Sequence, residues 1–309
     1  MTGSSPPTAA PPLIPANKPL FARMVIVGIG LIGSSLARAV KLHGLTDQLV
    51  LVDADPAARA RSEELALGDE VTGDVTAAVA GADIFVLAVP MRAFPSVLNA
   101  CAPALPDRCI VTDTGSTKES ALRDMVTHLG GPERLVPGHP VSGTEHSGAD
   151  AGFASLFEGR WCILTPTPQA DPALVDQVTA LWTHCGSRVE RMSAAHHDRV
   201  LAITSHVPHL IAFTIVSTAQ DLETATENEV IKYSAGGFRD FTRIAASDPT
   251  MWRDVFLSNQ EAVLEILQRF SEDIALMQRA IRWGEADTLE QCFRRTRAIR
   301  RRVIEQQQA

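Results

Sequence analysis

Four segments hold residues whose types and spacing could do chemistry. The first, Gly28-Ile29-Gly30-Leu31-Ile32-Gly33, matches G-x-G-x-x-G. Glycines there let a backbone turn tightly and approach a pyrophosphate, and a following helix offers the anion free N–H groups and a positive dipole end. Asp53, about twenty residues further on, can accept hydrogen bonds from a ribose diol and repel a 2′-phosphate, which favours NAD over NADP. Asp55 takes that place if the preceding strand ends two residues later. The second segment is Asp113-Thr114-Gly115-Ser116-Thr117-Lys118, and the third is Gly138-His139-Pro140-Val141-Ser142-Gly143-Thr144-Glu145-His146-Ser147-Gly148. The fourth is Ser205-His206-Val207-Pro208-His209, followed by Gly236-Gly237-Phe238-Arg239-Asp240-Phe241-Thr242-Arg243-Ile244. Histidines suit proton transfer near neutral pH, and a guanidinium grips a carboxylate in a bidentate way that lysine cannot copy. Spacing alone leaves these residues open. His139 precedes a proline and also fits a loop histidine. Ser205, His206 and His209 can share a helix face, as a site or as hydrogen-bonded core residues, and Pro208 removes a helix hydrogen bond there.

The elements that must position these segments read as two halves. Met24–Val27 is a short β-branched run stopping at Gly28, and Ser34–His43 reads as a helix ending at Gly44. Leu49–Val52, Ile84–Val89, Cys109–Thr112 and Trp161–Leu164 read as further strands. Strands alternating with helices predict a doubly wound Rossmann-type sheet, whose ligands bind beyond the carboxyl ends of the strands. Beyond Met192 the pattern turns helical: Ser193 reads as an N-cap, with helices over Ala194–Thr218, Ser258–Ala280 and Thr288–Glu305. The expected organisation is a disordered Pro-rich tail over 1–19, an α/β NAD-binding domain over 20–192 and an all-α domain over 193–309.

Bulk properties exclude several classes. The length of 309 residues is that of about two domains. A net charge of -8 sets nucleic-acid binding back, and the arginines between Arg294 and Arg302 read as cations against a helix dipole. The five cysteines, Cys101, Cys109, Cys162, Cys185 and Cys292, are odd in number and form no Cys-x-x-Cys pair, so free thiols in a reducing compartment are expected. No secretory signal and no run of about 18 apolar residues stands out, so neither membrane nor export is expected, and the location predicted is cytoplasmic. No metal-ligand cluster is evident, so no metal is expected.

On the His-Pro loop ending in Gly-Thr-Glu, the Ser-His-x-Pro-His segment and the Gly-Gly-Phe-x-Asp-Phe-Thr-Arg segment, in that order, the chain resembles the prephenate/arogenate (cyclohexadienyl) dehydrogenases from about Met24 to Phe256. That resemblance implies NAD-dependent oxidative decarboxylation of prephenate to 4-hydroxyphenylpyruvate, of arogenate to tyrosine, or of both. It implies a helical dimerisation domain and a homodimer as well. By resemblance His139 is the catalytic base, and Ser116 hydrogen-bonds near the reacting hydroxyl and the histidine. Arg243 holds a substrate carboxylate, His206 and His209 contact the substrate with Ser205 beside them, and Thr144 and Glu145 line the pocket. Glu145 is expected to gate or support rather than act as a base, since it would repel a dianionic substrate. Arg239 is expected to be a solvated surface cation. Neither a regulatory domain after Ala309 nor a mutase segment before Leu20 is expected, so any inhibition by tyrosine would act at the substrate pocket. A β-hydroxyacid dehydrogenase is the main rival, but it uses a lysine on the interdomain helix, and Lys18, Lys41, Lys118 and Lys232 all lie elsewhere. A non-catalytic NAD-responsive protein would share the glycine turn and need none of the His139, Ser116, His209 and Arg243 set.

Overall fold

The computed structural model describes residues 18–144, 146–223 and 236–305. The Pro-rich tail up to residue 17 and Glu145 therefore lie outside the described residues. Five strands, β1 (Phe21–Val27), β2 (Thr46–Val52), β3 (Glu70–Thr72), β4 (Ile84–Leu87) and β5 (Ile110–Asp113), form a parallel sheet in the order β3-β2-β1-β4-β5. Helices α1 (Leu31–His43), α2 (Pro56–Glu64), α3 (Val75–Ala78), α4 (Phe94–Cys101) and α5 (Lys118–Leu129) connect or follow the strands. Alternate residues of β1 feed two cores. Met24 and Ile26 pack with Leu36, Val40 and Trp182, whereas Val25 and Val27 pack with Phe85, Phe94 and Leu98. Burial of both faces explains the near-continuous apolar runs of these strands.

A second, three-stranded sheet is built from β6 (Gly138–Pro140), β7 (Trp161–Leu164) and β8 (Arg188–Arg191), with α6 (Pro172–His184) between β7 and β8. Trp161–Leu164 is thus a strand, as its composition predicts, but it belongs to this smaller sheet. The segment carrying His139, open on sequence grounds to a loop reading, begins as a strand antiparallel to β7, with His139 opposite Ile163. A three-residue strand bounded by Gly and Pro shows no alternation, and the Arg-Val-Glu-Arg of β8 offers one apolar residue, so neither gave a signal.

Ser193 caps α7 (Ala194–Leu201), its hydroxyl accepting the His196 N–H at 3.2 Å. A π-helical turn over Ala202–His206 leads into α8 (Val207–Glu223). Pro208 sits just inside α8, and a wider turn before it accommodates the missing donor and the ring. α9 (Gly236–Thr242), a 3-10 turn (Arg243–Ala246) and α10 (Pro249–Ser258) follow. Compactness divides the chain at Gln260 rather than at the change to helical composition. The first helices beyond Met192 are hydrogen-bonded into the α/β part, as the site below shows. Glu261–Ala309 forms a second compact unit comprising nearly all of α11 (Gln260–Trp283) and all of α12 (Ala286–Glu305). In α12, Arg294 pairs with Glu290 one turn earlier.

Ala194–Leu222 is long and apolar enough, by length and composition, to cross a membrane. His206 and His209 interrupt the apolar run within it. Those same polar residues, buried or half-buried in a hydrogen-bonded cluster, give the stretch a role inside the fold.

Candidate active site

β1, β4 and β5 end side by side: Val27 pairs with Leu87, and Leu87 with Asp113. Their carboxyl ends therefore present the Gly28 turn, Ala88 and the Thr114–Ser116 loop along one edge, where the strand order reverses direction. A buried ion pair fastens β6 to this edge. Lys118, 0% exposed, places its Nζ against Asp113 Oδ2 and donates to the Gly138 carbonyl at 2.6 Å. Asp113 also accepts the backbone N–H groups of Gly115 at 2.8 Å and Gly138 at 3.1 Å. Asp113 and Lys118, at the two ends of one six-residue segment, thus hold the strand carrying His139 at the mouth of the sheet.

His139 is 8% exposed, and its Nδ1 lies 2.8 Å from His197 Nε2. His197 Nδ1 in turn lies 2.8 Å from Asp198 Oδ1. Asp198 accepts the backbone N–H groups of Lys118 at 2.7 Å and Glu119 at 2.9 Å, so a carboxylate from α7 caps the start of α5. The Asp198 carbonyl accepts the Asn259 amide at 2.8 Å, and that amide also reaches His206 Nδ1 at 3.0 Å. Burial pulls the His139 pKa well below its ordinary value, and His197, Lys118 and His206 act in the same direction. Burial likewise lowers His197 to about 2 and His206 to about 4. All three imidazoles are neutral at pH 7, and among the described residues His139 keeps one nitrogen free of hydrogen bonds.

His209 donates from Nδ1 to the Ser205 carbonyl at 2.8 Å and stacks on Trp252 with centroids 3.6 Å apart. Its Nε2 therefore carries the lone pair. Burial lowers its pKa, with Arg243 among the lesser causes, which places the exposed Arg243 guanidinium within electrostatic reach. Trp252 Nε1 and Ser142 Oγ are buried polar atoms with no hydrogen-bond partner among the described residues.

The glycine turn fits a dinucleotide. Gly28 has φ +97°, and a Cβ there would lie 2.4 Å from the Ala88 carbonyl oxygen. A Cβ on Gly33 would lie 1.9 Å from the Gly28 carbonyl oxygen, so α1 can start this close to β1 only with glycine. A Cβ on Gly30, the N-cap of α1, would meet no protein atom within 4 Å, and no side chain caps the helix, so its first N–H groups face open space suited to phosphates. Asp53 directly follows β2, its Oδ2 accepting the Ile29 N–H at 2.7 Å and its Oδ1 the Asp55 N–H at 2.9 Å.

A family model described as the prephenate dehydrogenase nucleotide-binding domain matches residues 36–191, and one described as its dimerization domain matches 193–295. The chain belongs to the prephenate dehydrogenase family. It is 41% identical to a cyclohexadienyl dehydrogenase of Zymomonas mobilis subsp. mobilis over 91% of its own length and 96% of that protein's. The crystal structure of prephenate dehydrogenase from A. aeolicus with hydroxyphenyl propionate and NAD+ superposes with a TM-score of 0.85, at 33% identity over 91% of this chain and 98% of that one. Synechocystis arogenate dehydrogenase gives a TM-score of 0.78 at 25% identity, covering 91% and 99%.

Within this prephenate dehydrogenase fold, the predicted residues fall into three groups. His139 and His206 are buried in one connected network, and Ser116 lies on the half-buried loop that leads to Lys118 in it. Ser205 and His209 lie on the adjoining π turn and α8, half-buried, with Arg243 near His209. Thr144 is exposed on the loop after β6, its hydroxyl accepting the His146 N–H at 3.3 Å. Arg239 is exposed, as expected. Gly28, Ile29, Gly30, Leu31, Ile32 and Gly33 form the turn and the start of α1, which begins three residues earlier than predicted. Asp55 caps α2, accepting the Ala57 N–H at 2.9 Å. Sequence alone does not single out His197, Asp198, Asn259 or Trp252, and it gives Lys118 no role beyond its place in the Asp113–Lys118 segment. Adjacent His-Asp near an N-cap is a weak signal, and nothing local in the sequence shows that Asn259 meets Asp198.

Replacing Asp53 with Asn removes a charge-assisted acceptor for the ribose, an interaction of about 1.5–3 kcal/mol. Cofactor titrations are expected to show kcat/KM for NAD falling about 10- to 100-fold, with NADP affected far less. Equal changes for both cofactors would take Asp53 out of the site.

Proposed function

We propose that this chain oxidises and decarboxylates prephenate, arogenate or both, using NAD, with His139 as the base and Arg243 as the carboxylate clamp. The observation that carries the reading is the placement of His139. Its ring is held from one nitrogen at the edge of the sheet where the cofactor turn opens, leaving the other nitrogen for a ligand. Bound NAD supplies the hydride acceptor, held by the Gly28–Gly33 turn, the N-terminus of α1 and Asp53. The substrate's ring hydroxyl gives its proton to His139 as hydride leaves the same carbon. Loss of CO2 makes the ring aromatic and leaves the electron pair of the broken bond on the former hydroxyl oxygen, which takes the proton back from His139, yielding 4-hydroxyphenylpyruvate from prephenate or tyrosine from arogenate. A neutral, buried imidazole of depressed pKa is unprotonated and ready to accept. The substrate carboxylates bring negative charge that raises its basicity once bound. Ser116, on the loop between His139's anchor and the cofactor turn, can hydrogen-bond the same hydroxyl. His206, His209, Ser205, Thr144 and Glu145 are assigned to the substrate's remaining surface.

Functionally we divide the chain into 20–192 for the cofactor and 193–309 for substrate and dimerisation. Large apolar side chains of that second part stand in solvent, among them Ile215, Leu222, Leu276, Ile281 and Trp283. A homodimer covers such surface. The five cysteines are free thiols, consistent with a cytoplasmic location. Paired kcat/KM values for prephenate and arogenate, each with NAD and NADP, test the assignment. Arg243→Gln is expected to raise substrate KM about 10-fold or more with a smaller change in kcat. An unchanged KM in steady-state kinetics would contradict the clamp.

A further inference from the structure

We propose that Asp198 and His197 are a buried positioning pair that fixes which nitrogen of His139 carries the proton. The inference rests on the reading of His139 as the base and goes beyond it. A base must present a lone pair to the substrate, and imidazole has two nitrogens. The hydrogen-bond chain decides between them. Asp198 accepts from the backbone of Lys118 and Glu119, one bond to each carboxylate oxygen, at the N-terminus of α5. That setting favours the acceptor-only carboxylate. Burial raises the Asp198 pKa, while the two backbone donors, Lys118 and His206 oppose the rise. An acceptor-only Asp198 requires the proton of His197 to sit on Nδ1, so His197 Nε2 is an acceptor. His139 must then place its proton on Nδ1 and donate to His197. Nε2 of His139 is left with the lone pair, and no other tautomer of the chain leaves every contact satisfied. When Nε2 takes the substrate proton, the positive charge is stabilised through two imidazoles towards Asp198. The charged or titratable groups facing this chain are Lys118, with its partner Asp113, and His206.

One residue thereby governs two parts of the site. Asp198 sets the tautomer of His139 through His197, and by capping α5 it fixes the loop that bears Ser116. A buried carboxylate that orients an imidazole without touching substrate is a positioning group, and reversing the tautomer of such a histidine costs about 10²- to 10⁴-fold in kcat.

The test uses the full-length protein labelled with 15N-histidine, with the His139→Asn variant assigning the His139 signals. The wild type is expected to show the proton on Nδ1 of His139. Asp198→Asn is expected to move it to Nε2 and to lower kcat at least about 10²-fold with KM changed less than about 3-fold. Because Asp198 also caps α5, that variant can fail to fold, so His197→Gln and His197→Leu form the second arm. Gln can accept from His139 and donate to Asp198, and is expected to lose less than about 10-fold in kcat, whereas Leu loses about 10²-fold. Equal kcat for Gln and Leu, or a wild-type proton on Nε2, overturns the proposal. Absence of NADH formation from prephenate and arogenate by the wild type would instead defeat the proposed activity, and the 15N shifts would still decide the tautomer.

Discussion

Replacing His139 with Asn lowers kcat by at least about 10²-fold and leaves substrate KM within a few-fold of the wild type. Asparagine nearly matches the volume around Nδ1 and can still donate to His197 Nε2, so the buried network is left closed. What disappears is the second nitrogen, the group assigned to the substrate hydroxyl. The effect therefore falls on the chemical step and not on binding or on folding. Stopped-flow kinetics with NAD and substrate separate the two. The burst of NADH slows in proportion to kcat, whereas cofactor binding, followed by protein fluorescence, stays as it was. Turnover near that of the wild type would remove His139 from the reaction and with it the orientation assigned to the whole edge of the sheet.

Lys118→Met is expected to lower stability by about 3–5 kcal/mol, because it leaves Asp113 buried with its cation gone. At about 2–4 °C per kcal/mol for a chain of this order of size, the unfolding midpoint falls by about 10 °C, read by calorimetry. Asp113 keeps two backbone N–H donors, from Gly115 and Gly138, which limits the loss. The double variant Lys118→Met with Asp113→Asn removes the stranded charge while keeping an acceptor, and it is expected to recover part of the midpoint. Because Lys118 also holds the Gly138 carbonyl, the single variant loosens the strand that carries His139, so kcat falls as well. A midpoint within 2 °C of the wild type, in the same approximate scale, would contradict the role given to the pair.

The cofactor half was legible because its signals are local. A β-branched strand, a glycine turn, a helix and an acid at the end of the next strand lie close together in the chain, and Asp53 falls where that spacing puts it. The strands of the parallel sheet are apolar runs because both faces are buried. The second sheet was not legible, since β6 is too short for a period and β8 is charged. The chemistry was half legible. His139, Ser116, His209 and Arg243 were reached through resemblance, and composition alone stopped at a nicotinamide-dependent oxidoreductase. The residues that were missed act across long separations: Asp198 meets Lys118, and Asn259 meets both Asp198 and His206. Such contacts leave no period and no spacing to read. The helical stretch over Ala194–Leu222 shows the converse, an average apolarity that conceals the histidines placed within it.

The most direct test of the account is the stoichiometry of NADH and CO2 formed when purified protein is given NAD and prephenate, and then NAD and arogenate. Equal amounts of the two products from at least one substrate, abolished to within about 1% by His139→Asn, are what the arrangement predicts. NADH without CO2, or neither product from either substrate, would contradict it.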